Sequence, residues 1–176
     1  MPLVLNGDGN ITGLTAGGLP DASITQSELA AGVVGNGPAF SAYKSASQTG
    51  VASAVFTKVT FNTEEFDTNN NYDTSTSRFT ATVAGYYQFN WNLDTGGVTT
   101  SIAISDLYKN GSSIKRSGGI SIAGIGEQYI NGSALVYANV NDYFEIYTYI
   151  GSGSTATVYG GTVVHSFFQS ILVKAA

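Results

Sequence analysis

Very little in this chain is charged, and less is reactive. Among its 176 residues there is no cysteine, one histidine and three prolines. The absence of cysteine excludes disulfides, thiolate metal sites and cysteine nucleophiles. A serine triad needs an imidazole beside a nucleophile and an acid, and His165 is the one imidazole present. No Gly-x-Ser-x-Gly elbow occurs. One histidine with scattered acids is poor material for zinc. The chain therefore reads as a non-enzyme without cofactor, and His165 as a structural or interface residue. Seven Lys and Arg against twelve Asp and Glu cannot neutralise many phosphates, which argues against a nucleic-acid partner. No apolar run approaches the ~20 residues of a membrane helix, so no membrane insertion is expected. The start, "MPLVLNGDGN", lacks the basic and apolar regions of a signal peptide. Release by cell lysis, as part of a virus particle, fits that start.

What is present is a polar but uncharged surface. Charged residues make up 11% of the chain, where about 25% is usual. Ser, Thr, Asn, Gln and Gly must therefore supply most of the solvated surface. Residues 1–37 contain no aromatic residue and are rich in Gly and small side chains. Within them Thr25 and Glu28 form a capping-box pattern ahead of Leu29, which predicts a short helix starting near Gln26. Such a helix is too short to stand alone. This segment is expected to attach the chain to a partner, through Leu3, Leu5, Ile24, Leu29 and Val33.

From residue 38 onward the chain turns aromatic, β-branched and alternating. Strands are predicted over 39–44, 53–61, 78–83, 85–93, 100–109, 113–117, 127–138, 142–150, 155–159 and 163–174. Asn110-Gly111 is a strong two-residue hairpin signal. No proline follows Pro38 to interrupt a sheet. The polar stretch "EEFDTNNNYDTSTSR" is expected to be a long loop crossing the sandwich. About ten short strands in one domain specify a β-sandwich, most simply a jelly roll.

Calcium needs oxygen ligands, which this chain has. "NGDGNITGL" sets Asn6, Asp8 and Asn10 at EF-hand spacing, but Ile11 and Gly17 stand where that loop requires Gly and Glu. "DTNNNYD" fails at Tyr72. A different calcium site, built from Glu64, Glu65, Asp67 and Asp73, stays open.

Three strands carry two busy faces. In "GYYQFNWNL", Tyr87, Phe89, Trp91 and Leu93 share one face, while Tyr86, Gln88, Asn90 and Asn92 share the other. "DYFEIYTYI" sets Tyr143, Glu145, Tyr147 and Tyr149 opposite Phe144, Ile146 and Ile150. "HSFFQSILV" sets His165, Phe167, Gln169 and Ile171 on one face, opposite Ser166, Phe168, Ser170 and Leu172. These second faces hold tyrosine, phenylalanine and amides, with one acid and no Lys or Arg. Charge depletion with aromatic enrichment marks a protein–protein interface. They are therefore expected to meet sister chains. Lysine at Tyr147 is expected to disrupt assembly more than lysine at Thr99.

The same residues carry a family resemblance. "AFSAY" (Ala39–Tyr43), Phe61-Asn62, Tyr72-Asp73, Phe79, Gly85-Tyr86-Tyr87 and Phe89 appear in order. "LYKNG" (Leu107–Gly111), "NGSALVYANVNDYFEIY" and the closing "SFFQSILV" follow. Together they resemble the C1q/TNF-like domain over roughly the last four-fifths of the chain. Asn141-Asp142 departs from that family's Gly-Asp, and Ser77 and Ser170 stand where it usually has Gly. The resemblance implies a ten-stranded jelly roll forming a homotrimer. It also implies that the first, last, "GYYQF" and "ND" strands share the sheet facing the threefold axis. "GLPDASITQSELAAGVV" resembles a short module of bacteriophage tail-fibre and related virion proteins.

The expectation is thus a trimeric virion knob that contacts a host-surface glycan or envelope protein through loops 44–52, 62–77, 94–99 and 118–126. Another virion protein would hold the N-terminal segment. Two alternatives are a decoration or capping protein that binds no receptor, and a bacterial C1q-like lectin or ligand.

Overall fold

The computed structural model describes residues 4–5, 11–12, 37–97, 99, 102–117 and 126–176. The chain divides into two compact units, Met1–Asn36 and Gly37–Ala176. In the first, β1 (Val4–Leu5) pairs antiparallel with β2 (Ile11–Thr12). Leu5 lies in β1. The helix expected near Gln26, and Leu3, Ile24, Leu29 and Val33, lie outside the described residues.

The second unit is all-β, a two-sheet jelly-roll-like sandwich with no helix among the described residues. Its strands are β3 (Ala39–Tyr43), β4 (Gln48–Val51), β5 (Thr57–Lys58), β6 (Thr63–Asp67), β7 (Tyr72–Asp73), β8 (Arg78–Thr80), β9 (Gly85–Gly96), β10 (Ile102–Lys109), β11 (Ser112–Arg116), β12 (Gln128–Ala138), β13 (Tyr143–Gly151), β14 (Ala156–Val158) and β15 (Phe167–Ala175). The first sheet runs β12-β9-β15-β3-β6, with β14 on the far end of β9 and β4 on β14. The second runs β11-β10-β13-β8-β7, with β5 on β13.

The core fills the gap between the sheets. From β9, Tyr87, Phe89, Trp91 and Leu93 are buried, as the period-two pattern predicts. Phe89 meets Phe144 of the second sheet with ring centroids 4.4 Å apart, and Phe40 stacks on Phe79 at 4.9 Å. Such pairs add about 0.5–1.5 kcal/mol each beyond burial alone. Trp91 also donates its indole N–H to Ser105 Oγ at 2.7 Å, so its one polar atom is satisfied inside the core. Gly132 lies beside that ring, and a Cβ there would enter it.

The Asn110-Gly111 hairpin forms as predicted. Both residues take positive φ, 52° and 80°, and join β10 to β11 with Lys109 opposite Ser112. Two departures from the family pattern fall where the backbone is left-handed: Ser77 (φ 48°) and Asn141 (φ 70°). Asparagine tolerates that region well. Ser77 is held there by its hydroxyl, which accepts from Phe61 N–H at 2.9 Å.

Three expectations are corrected. The polar stretch 64–78 is no simple loop: β6 and β7 lie within it or across its start. Tyr72 is the reason, because its ring stacks on Phe40 at 4.8 Å and its hydroxyl donates to Phe61 O at 2.9 Å. The strand predicted over 53–61 shortens to β5. Most consequentially, β13 does not share a sheet with β3, β9 and β15. It pairs with β10 over eight register positions and with β8, in the second sheet. The place beside β9 belongs instead to β12, which pairs from Gln128↔Thr95 to Ala138↔Gly85. Period two shows that a strand has two faces; it does not show which sheet the strand joins.

Candidate interaction face

The outer face of the first sheet is built in rows. Tyr137 of β12 lies opposite Tyr86, Leu135 opposite Gln88, Ser133 opposite Asn90, and Asn131 opposite Asn92. On the other flank of β9, Ile171 lies opposite Gln88, Gln169 opposite Asn90, and Phe167 opposite Asn92. The rows continue into β3 through Ala39, Ser41 and Tyr43. Across these rows on β12, β9, β15 and β3 two residues are charged, exposed Lys174 opposite Tyr86 and buried Asp94 opposite Tyr129.

The apolar members are open to solvent. Leu135 is 53% exposed, Ile171 52%, Tyr86 45% and Tyr137 39%. Tyr86 and Tyr137 meet edge-on, with centroids 5.3 Å apart. The amides between them are tied down. Gln88 Nε2 donates to Ser133 Oγ at 2.8 Å, and Ser133 Oγ donates to Asn90 Oδ1 at 2.9 Å. Asn92 Nδ2 donates to the His165 carbonyl at 2.5 Å. The result is a pre-ordered surface with an apolar end and a polar middle whose groups hold each other. Such a surface loses little side-chain entropy when covered.

His165 stands at one rim. Its Nδ1 lies 3.0 Å from Asp94 Oδ2, and Asp94 is fully buried. Burial pushes the Asp94 carboxyl up, the charge of Glu127 adds to this, and His165 opposes it. At the sheet's far edge Ser41 donates to Glu65 Oε2 at 2.6 Å.

The β13 face is of another kind. Tyr143, Glu145, Tyr147 and Tyr149 lie on the outside of the second sheet, away from Tyr86 and Phe167. Glu145 is buried there, with Lys58 Nζ at 2.6 Å and Arg78 Nη2 at 2.9 Å. Arg78 covers the Tyr143 ring at 3.8 Å, and Tyr147 stacks on Tyr108 at 4.0 Å. Burial, with the charge of Glu145, raises the Tyr147 hydroxyl. The expectation of one charge-poor face uniting Tyr86, Tyr147 and Phe167 is therefore corrected. Seen along the strand, "DYFEIYTYI" is almost uncharged; its neighbours β5 and β8 bring the cations.

Sequence reasoning missed the β12 contribution, Tyr129, Leu135 and Tyr137. The signal was available. Gly132, Ala134 and Ala138 are the small residues that fit against the core, which turns Leu135 and Tyr137 outward.

Of the four acids in the candidate calcium site, Asp67 and Asp73 serve local turns and Glu65 is bonded to Ser41. Asp67 accepts from Asn69 N and Tyr72 N, and Asp73 accepts from Ser75 and Thr76. These bonds hold the Asp73 carboxyl down at about 2. Among the described residues no three acidic or histidine side chains are grouped to hold a metal.

Among known proteins, the C1q domain profile matches residues 39–173. No curated protein sequence matches. The globular domain of zebrafish complement 1qA superposes with a TM-score of 0.58 at 19% identity, over 79% of this chain and 99% of that one. Eiger TNF from S. frugiperda superposes at 0.60 with 8% identity, over 80% and 96%. Murine APRIL superposes at 0.59 with 8% identity, over 78% and 100%. At these identities the superpositions establish the fold.

Proposed function

The chain belongs to the C1q domain family, and from that premise we propose that it is a non-enzymatic virion knob that trimerises through the outer face of its first sheet and attaches the particle to a host surface. Domains of this family are typically trimeric and generally act as ligands or structural proteins. The observation that carries the assembly reading is the contrast between the two outer faces. The second is laced with ion pairs, as a solvated face is. The first presents Tyr86, Leu135, Tyr137 and Ile171 around bonded amides, with Lys174 at its end as the one exposed charge on those strands. An exposed apolar patch rimmed by polar groups is the signature of a surface meant to be covered.

In this reading the interface comprises Tyr86, Gln88, Asn90, Asn92, Phe167 and Gln169, as expected, together with Tyr129, Leu135, Tyr137 and Ile171. His165 lies at its rim. Tyr143, Glu145, Tyr147 and Tyr149 face outward on the assembled particle. The virion reading is supported by the resemblance of "GLPDASITQSELAAGVV" to tail-fibre modules and by the low-charge surface. The N-terminal unit then holds a second virion protein, and three copies of each exposed loop give avidity for a glycan or envelope protein.

Two measurements test this. Sedimentation at micromolar concentration is expected to show a trimer, and a monomer refutes the assembly reading. Purified protein is expected to bind host cells and to block infection. A trimer that does neither is a decoration protein, and one encoded away from virion structural genes is a cellular C1q-like ligand.

A further inference from the structure

A cleft of ≈ 440 Å³ opens where the edge strand β6 meets β7 and β8. That volume falls within the roughly 300–1,000 Å³ of small-ligand sites. Its lining includes Glu64, Asn70, Asn71, Thr74, Thr80 and Thr82.

Asn71 makes it more than a dent. The residue is 4% exposed, and its Nδ2 has no hydrogen-bond partner. Its other amide arm is held by Thr82 Oγ1 at 3.2 Å. Turning the amide over changes nothing essential, because Thr82 can bond only one arm and the other is left bare. A buried polar group without a partner is costly, so the site favours a ligand that supplies one. Glu64 adds an acceptor with no hydrogen-bond partner among the described residues.

The lining narrows the chemistry of that ligand. Among the described residues no Lys or Arg lines the cleft, so an anion finds no counter-charge there. Its surface is part polar and part apolar, and the Tyr72 ring is turned into the core against Phe40. Asp73 has both carboxylate oxygens engaged by Ser75 and Thr76, which leaves Glu64 as the one unengaged carboxylate. A divalent cation such as calcium needs six to eight oxygen ligands, commonly several of them charged. What fits is a neutral group whose hydroxyls each donate and accept: donating to Glu64, accepting from Asn71, and exchanging with the threonines. We propose that this cleft binds one neutral sugar unit of a glycan. This rests on the attachment reading above and assigns that attachment to a specific site.

The test titrates the full chain with the methyl glycosides of glucose, galactose, mannose and N-acetylglucosamine. Each is taken to about 100 mM, which saturates a millimolar site. Binding is read by calorimetry and by the Asn71 side-chain NH2 resonances. At least one glycoside is expected to bind and to move those resonances. Glu64→Gln and Asn71→Ala are each expected to weaken it roughly tenfold or more, with melting curves confirming that both variants are folded. Thr80→Val provides a third variant should Asn71→Ala fail to fold. If no glycoside saturates, or if binding survives both Glu64→Gln and Thr80→Val unchanged, the proposal is overturned. It is equally overturned if calcium chloride alone moves Asn71 and the sugars do not. Sedimentation and host-cell binding of the same sample separate the two readings. A trimer that binds cells but no glycoside keeps the attachment reading and loses this site.

Discussion

Lysine at Leu135 or Ile171 is the perturbation that most directly tests the assembly face. Both side chains flank Gln88 in one row, and each is about half exposed in the single chain. Full burial of such a side chain contributes roughly 1.5–3 kcal/mol, so the half still open is worth about 1 kcal/mol on association. Lysine removes that gain and must also be dehydrated or bent away, which adds about 1 kcal/mol or more per chain. A trimer carries the change three times, for a total of about 6 kcal/mol. That corresponds to a drop of about four orders of magnitude in the association constant. Equilibrium sedimentation across a dilution series reads this directly. Leu135→Lys and Ile171→Lys are each expected to convert a trimer into monomers at micromolar concentration. Tyr147→Lys, on the second sheet, is expected to leave the trimer intact, which reverses what the sequence alone predicts. Dissociation by Tyr147→Lys with persistence of the other two would refute the face assignment.

Other consequences are separable from assembly. Lys44 is buried, with Nζ donating to Thr60 O at 2.6 Å and Thr60 Oγ1 at 3.1 Å, and no carboxylate pairs with it among the described residues. Burial lowers its ammonium to about 8. The folded chain therefore binds fewer protons than the unfolded chain between about 8 and 10.5, and stability is expected to rise with pH across that window. Lys44→Met is expected to flatten the rise in urea melts; an unchanged slope would remove burial as the cause. Gly132→Ala drives a methyl group into the Trp91 ring and is expected to cost about 2–3 kcal/mol, read as a fall in Tm of roughly 5–10 °C. Asp142 is partly dehydrated, which raises its carboxyl, yet Lys109, Asn110 and the Asn139 N–H outweigh this and hold it at about 2. Its contribution is complete above its ordinary value near 3.8 and is lost as pH falls through about 2. Asp142→Asn is accordingly expected to destabilise the chain at pH 7 and to match the parent in strong acid.

The sandwich itself was legible because the chain alternates strictly where it matters. Tyr87, Phe89 and Trp91 could face only a core, and Asn110-Gly111 could form only a tight turn. The partition of strands between sheets was not legible, because alternation carries no information about lateral neighbours. β13 therefore passed for a companion of β9, and the cations of Lys58 and Arg78 that define its surroundings came from distant strands. β7 was hidden because a single buried tyrosine anchors a stretch that is otherwise polar. Lys44 was hidden for the converse reason: a charged residue at the end of a strand reads as solvated, and only the fold shows it enclosed. The cleft at Asn71 shares that obscurity, since a run of asparagines looks like a loop until one of them is seen to be buried.

β12 has a consequence for handling the protein. It runs eleven residues, Gln128–Ala138, without a charge or a proline, and it is hydrogen-bonded to a neighbouring strand along one side, by β9. Among the described residues no strand pairs with its other side, where Tyr137 O accepts from Lys109 Nζ and the remaining backbone donors and acceptors can meet an extended chain. In the proposed trimer, a protomer parted from its sisters would also uncover Leu135 and Tyr137 beside that edge. Dilution or mild heating then creates a species primed for cross-β association, with losses that depend on protein concentration and that a simple unfolding curve misreports as low stability.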